Sequence, residues 1–340
     1  MESTPPPGQQ QNEQFSLMEG IRSVKKMKDI EENTSSMELT PPINTTIHQR
    51  NESERFPNTR ASVAVPREAA SILRALPNFA EPAFVLATHL VPSLPIPLFE
   101  ILAEILETIT GRPVVLLHES RPERPVAQNI VDMAVLPVGG GWDEGSLLPV
   151  SFVFEHRLKT TRNPDVYVDV VVAKDCVRNI EGILDLRGYR CSLPDRSKGL
   201  GATALLFRHL NSKGENPSFF GDTSDSGSQL STLQMVAGKQ TEIGVLESPV
   251  FLCHKNTLHG IDSVCVLESL GPLPPYRIML NKKTLAPIRD KIIKGLLSVA
   301  CDDLWMGKLG KFGVSGFAEY NVERYDLEDL KCVVKSVPYY

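Results

Sequence analysis

The sequence predicts an α/β fold with mostly parallel sheets arranged in two lobes, and three observations predict it. From about residue 79, apolar strand-like runs alternate at short spacing with amphipathic helix-like segments, the pattern of βαβ units. The strand runs are nearly continuous in apolar residues, as in Val131-Asp132-Met133-Ala134-Val135-Leu136, which suits parallel strands covered on both faces. A second strand and helix series begins near Tyr167, so a second sheet is expected.

Each element has its own warrant. Ala83-Phe84-Val85-Leu86-Ala87 reads as the first strand. A helix follows, with Pro97 suited to its first turn, Leu98, Ile101, Leu102, Ile105 and Ile109 on one face, and Gly111 placed to end it. Val114-Val115-Leu116-Leu117 is the second strand and residues 131–136 are the third. In the second series, strands are expected at residues 167–173, 189–192, 242–246 and 263–267, with helices at 202–210 and 230–238. The chain then returns through a strand at 276–280 and a long helix at about 285–301. Lys282 and Lys283 beside the start of that helix oppose its dipole, so they serve something other than capping, or are simply solvated on a turn.

Composition narrows the function classes. The chain has 340 residues, of which 41% are hydrophobic and 23% charged, with a formal net charge of −5. No basic domain of the kind that binds nucleic acid is present, and no apolar run approaches the ~20 residues that a bilayer span requires. Residues 1–60 are rich in Pro, Gln, Ser, Thr and Asn with few aromatics, and are expected to form a disordered tail, since they cannot offset folding entropy by burial. Its Lys25-Lys26-Met27-Lys28 cluster is either a solvated charge run or a docking element for a protein partner. Residues 61–78 form a lead-in segment, in which residues 65–76 suit a short helix. The N-terminus shows no basic and apolar leader, and the six cysteines include no CxxC pair. The expectation is a cytoplasmic protein with free thiols, no metal site and no cofactor. The Asn-x-Ser/Thr sequons at Asn33, Asn44 and Asn51 are read as chance in a Ser/Thr/Asn-rich tail.

Three blocks carry a family resemblance. The first runs from Leu98-Phe99-Glu100 to Gly111-Arg112-Pro113-Val114 and on to Val131-Asp132-Met133-Ala134-Val135-Leu136-Pro137. The second is Leu184-Asp185-Leu186-Arg187-Gly188, then Ser192-Leu193-Pro194-Asp195-Arg196-Ser197 and Gly201. The third runs from Gly227-Ser228-Gln229 through Val236-Ala237-Gly238-Lys239 to Glu242-Ile243-Gly244-Val245-Leu246-Glu247-Ser248. Their order resembles the phosphate/phosphonate-type periplasmic substrate-binding proteins, within the type II periplasmic-binding-protein fold. The resemblance implies two α/β lobes around a ligand cleft. Lobe one would comprise residues 79–168 plus 278–340 and lobe two residues 169–277, with hinges near Tyr167 and Pro274-Pro275-Tyr276.

Open parallel sheets bind ligands beyond the carboxyl ends of their strands, where helix N-termini favour anions. That rule selects the ligand-binding candidates. They are Thr88 and His89 after the first strand, Gly139, Gly140 and Trp142 after the third, and Ser197, Lys198, Gly199 and Gly201 before the helix at 202. Ser228 and Gln229 stand before the next helix, and Glu247 and Ser248 after the strand that follows it. In the family the turn at 195–203 carries a run of hydroxyls that grips the phosphonate; here Ser197 and Gly201 fit, while Lys198, Gly199 and Leu200 depart from it. Where relatives have Gly-Ser-His and an acid, this chain has Gly227-Ser228-Gln229-Leu230, which argues against an aminophosphonate. Glu247 either faces the cleft or serves the dipole of a following helix. Trp142 either covers a ligand face or packs. No catalytic residue is assigned, because no triad can be defended from sequence.

The functional expectation is binding of a small anion, phosphonate- or phosphate-like, by an intracellular sensor, carrier or scavenger. The alternatives are an enzyme on the same fold acting on a phosphorylated or pyrimidine-like metabolite, and a degenerate binding domain used as a protein-interaction scaffold.

Overall fold

The computed structural model describes residues 82–89, 93–119, 130–137, 140–175, 180–194 and 201–321. All of them fall within Pro66–Tyr340. The expected tail, the lead-in segment and residues 195–200 lie outside the described residues.

The first sheet is built on β1 (Phe84–His89), β2 (Val114–Glu119) and β3 (Met133–Leu136), with β1 central and parallel to both neighbours. Between β1 and β2 runs α1 (Ile96–Thr110), which starts on a proline turn and buries Leu98, Phe99, Leu102, Ala103, Ile105 and Leu106. Gly111 ends it in the left-handed region at φ 76°, its N–H donating to Glu107 O at 2.8 Å, a geometry that glycine adopts without steric cost. β3 begins two residues later than the apolar run suggested. Asp132 is turned aside, its Oδ2 accepting the Val85 N–H at 2.9 Å. β11 (Arg277–Asn281) and β4 (Gly145–Leu147) complete the sheet in the order β2-β1-β3-β11-β4.

The second sheet holds β6 (Val166–Ala173), β7 (Arg190–Leu193), β8 (Asp222–Asp225), β9 (Ile243–Glu247) and β10 (Val264–Leu273), in the order β10-β6-β9-β7-β8. Three helices follow its parallel strands: α2 (Ala202–Ser212) after β7, α3 (Gln229–Ala237) after β8 and α4 (Ser248–His254) after β9. Each five-stranded sheet combines two parallel with two antiparallel pairings. That is more antiparallel pairing than strand and helix alternation suggests. The cause is the chain's passage between sheets: β6 runs against the parallel set of the second sheet and β11 against that of the first, and β10 and β4 pair antiparallel with them. A third, two-stranded sheet pairs β5 (Val150–Phe154) with β12 (Val314–Glu319). The expected helix at 285–301 is α5 (Ala286–Ser298) followed by a 3-10 turn at Val299–Cys301, and α6 (Asp303–Leu309) comes next.

One apolar cluster runs through both sheets, from Phe84, Leu98 and Phe99 to Val170, Ile243 and Val245. Side chains alternate along a strand, so the opposite face of the first sheet presents a separate set. Ala87, Ala134, Leu136 and Met279 pack there with Val131 and Trp142. Every member of this small cluster comes from a strand or loop. No described helix covers that face, whereas the sequence suggested helices on both.

Candidate functional site

The parallel strands decide where a site can form. β7, β8 and β9 are mutually parallel and lead into α2, α3 and α4, so three helix starts gather at one carboxyl edge. In the first sheet, β1 leads at its carboxyl end toward Ser93 and α1. The two edges meet through Ser93. Its Oγ accepts the N–H of Leu230 in α3 at 3.2 Å, and its carbonyl lies 2.9 Å from His254 Nε2 at the end of α4. A carbonyl only accepts, so this contact places the imidazole proton on Nε2.

Glu247 is the hub of the second-sheet edge. It is the last residue of β9 and 5% exposed. Its Oε2 accepts from the Tyr276 hydroxyl at 2.6 Å, and its backbone N–H donates to Gln229 Oε1 at 2.6 Å. A Cβ placed on Gly201, at the start of α2, would lie 3.5 Å from Glu247 Oε1. The carboxyl group therefore sits among α2, α3 and the segment that returns the chain to the first sheet. Although Glu247 precedes α4, its side chain makes no capping bond there. Burial raises its pKa above the ordinary glutamate value, and hydrogen bonds from Tyr276 and Gln229 pull it back in part. Tyr276 is held well above the usual phenol range by burial and by the Glu247 carboxylate, so it remains a donor.

The other candidates are distributed as follows. Thr88 is buried at the end of β1, its Oγ1 3.0 Å from His118 Nδ1 on β2. His89 is the last residue of β1, and its side chain lies outside the described part. Gly139, Ser197, Lys198 and Gly199 lie outside the described residues. The Gly140 carbonyl accepts from Arg277 Nη1 at 2.7 Å. Trp142 is buried in the small cluster behind the first sheet, packed against Gly145. Its indole N–H has no hydrogen-bond partner among the described residues. Gly201 is buried at φ 78° and opens α2. Ser228 caps α3, its Oγ accepting from the Ser231 N–H at 3.1 Å. Ser248 is buried beside Glu247.

Sequence reasoning did not select Ser93, Tyr276, His254 or Thr203. Thr203 stands in the first turn of α2, and its buried hydroxyl has no partner among the described residues. Tyr276 carried a usable signal, since it lies in the Pro-Pro-Tyr stretch read as a hinge. Lys282, left open above, donates from Nζ to Asp143 O at 2.6 Å and so ties the end of β11 to the turn before β4. Among the described residues no group of three or more His, Cys, Asp or Glu is placed to hold a metal ion. No described helix is long and apolar enough to cross a membrane.

No protein-family model matches the chain, and no curated protein matches it. Solved structures do. PhnD1 from Prochlorococcus marinus, in complex with methylphosphonate, superposes with a TM-score of 0.53 at 15% identity, over 75% of this chain and 99% of that one. A binding-protein component of an ABC phosphonate transporter from Pseudomonas aeruginosa gives a TM-score of 0.52 at 12% identity, over 75% of this chain and 85% of that one. Together with the two sheets and their strand orders, these matches show that the chain has the two-lobed type II periplasmic-binding-protein fold.

Proposed function

We propose that this protein binds a small anion, phosphonate- or phosphate-like, in the cleft between its two lobes, and acts inside the cell as a sensor, carrier or scavenger. The observation that carries the reading is the meeting of the two carboxyl strand edges at Ser93, with the starts of α2 and α3 directed to the same place. Unpaired helix N–H groups at such an edge suit an oxyanion. Ser197 and Lys198, next to Gly201, would add a hydroxyl and a point charge. The methylphosphonate held by PhnD1 supports the ligand class. Glu247 limits it, because a buried carboxylate repels a dianion strongly at low effective dielectric. A monoanion, or a ligand with its own hydrogen-bond donor, fits better.

One observation favours the scaffold reading instead: Ser93 already accepts the Leu230 N–H of α3, a donor that a ligand would use. Thermal unfolding of the full chain separates the two. The compounds are phosphate, phosphite, methylphosphonate and aminoethylphosphonate at matched ionic strength. A ligand at 100 times its Kd should add ~2.7 kcal/mol, and the gain should vanish in Ser197→Ala/Lys198→Ala. Absence of any shift across the set would discard the anion reading in favour of the scaffold.

A further inference from the structure

The chain passes between the first and second sheets twice, and the two passages lie side by side. β6 enters the second sheet at Val166, which pairs with Leu273, where β10 leaves it. Residues 155–165 connect β5 to β6 and place His156 at this entry. Its ring stacks on Tyr167, with 4.4 Å between centroids and 7° between planes. The side chains of His156 and Asp169 are 6% and 5% exposed, so their contact is shielded from solvent. Asp169 Oδ1 accepts from the Ser269 hydroxyl on β10 at 2.6 Å and lies 3.3 Å from His156 Nε2. Ser269 Oγ in turn accepts from Arg157 Nε at 3.2 Å. Two consecutive residues of the connection thus hold both passing strands, through a pair that faces each other across them.

The hydrogen bonds fix the state of the ring. The Leu158 N–H donates to His156 Nδ1 at 3.2 Å. An N–H only donates, so Nδ1 is unprotonated and the imidazole proton lies on Nε2, directed at Asp169. A further proton must enter at Nδ1. There it sets two donors against each other at Leu158, and it turns the Asp169 contact into a charge-assisted pair. Histidine is the side chain whose ordinary charge change falls between about pH 5 and 8. The other charged and titratable groups nearby are Tyr167 and Asp165 at the start of β6, and Arg157 and Lys159 in the connection. Asp165 acts on Lys159 and Tyr167. Glu268, beside Ser269 on β10, is engaged elsewhere and accepts the Ile183 N–H at 3.3 Å. Asp169 is thus the carboxylate in contact with the ring. We propose that His156 is a proton-operated switch where the chain crosses between the sheets. Uncharged, it closes the turn at Leu158; protonated, it gives up that turn and tightens its hold on β6 through Asp169. The switch is independent of any ligand in the cleft.

Nitrogen NMR of the full chain, labelled at histidine and leucine and titrated from about pH 8 to about pH 5, tests this. At the upper end the His156 ring should carry its proton on Nε2. As the ring gains its second proton, the Leu158 amide should shift with the same midpoint. Exchange of that amide, corrected for the intrinsic effect of pH, should rise roughly two- to tenfold, as expected for one net hydrogen bond lost. His156→Asn keeps an acceptor for Leu158 and His156→Gln keeps a donor for Asp169. Neither side chain titrates, so the Leu158 transition should vanish from both. A Leu158 amide that stays fixed while the wild-type ring gains its proton would overturn the proposal. So would a transition that persists in the variants, or a ring with its proton on Nδ1 at the upper end. The wild-type titration decides alone should a variant fail to fold.

Discussion

Glu247 is buried, raised in pKa chiefly by burial, and bonded to a tyrosine that stays protonated. A carboxyl whose folded pKa exceeds its unfolded value binds more protons when folded. Its stabilising contribution is complete below the ordinary value near 4.5 and is lost as pH rises through the folded value. Glu247→Gln retains an acceptor for Tyr276. It should flatten the fall in stability above that range and leave the protein more stable than wild type at pH 7.5, as measured by urea unfolding. Tyr276→Phe should cost roughly 1–3 kcal/mol, because it takes a donor from a buried carboxyl group. Lys159 gives the opposite slope. Burial lowers its pKa from 10.5 to about 8, while its Nζ donates to the carbonyls of Phe154 and Asn163. Between about 8 and 10.5 the unfolded state binds more protons, so stability should rise with pH relative to Lys159→Met. Parallel pH curves for the two proteins would contradict this. The acid at the end of β9 was legible from its place after an apolar strand. Its partner was not, since Tyr276 is 29 residues away and only the fold brings the two together.

At the scale of elements, glycine positions give the sharpest expectations. A Cβ on Gly244 in β9 would lie 2.7 Å from Thr232 Cγ2 and 2.9 Å from Val236 Cγ2. Gly244→Ala should therefore push α3 off the sheet at a cost of ~1–3 kcal/mol, visible as a lower unfolding midpoint. Gly111→Ala meets no atom within 4 Å, so its cost is conformational alone, about 1 kcal/mol. Elements with strong periodicity or terminal signals, such as α1 between Pro97 and Gly111, could be read from sequence. β8, with the sequence Asp-Thr-Ser-Asp, has no apolar pattern and exists because β7 pairs with it. β5 and β12 stabilise each other across some 160 residues of chain, through contacts such as Phe152 with Phe317 at 4.8 Å between ring centroids. Neither local window records that partnership. α4 and α6, at seven residues each, are too short for a helical period to register.

For the whole molecule, the proposed binding site lies where the two carboxyl strand edges meet at Ser93. The alternating strands and helices made that edge predictable, because parallel strands fix which end meets the helix starts. The contact at Ser93 was not predictable, as it joins residues 137 and 161 positions apart. Ser93→Ala should loosen it by about 1 kcal/mol and speed exchange at the start of α3. The most direct test of the central claim is hydrogen exchange of the full chain with and without saturating methylphosphonate, followed at the starts of α1, α2 and α3. A ligand in the cleft should slow exchange at α1 in the first lobe and at α2 and α3 in the second lobe together. Protection confined to one lobe, or none, would contradict an interlobe binding site.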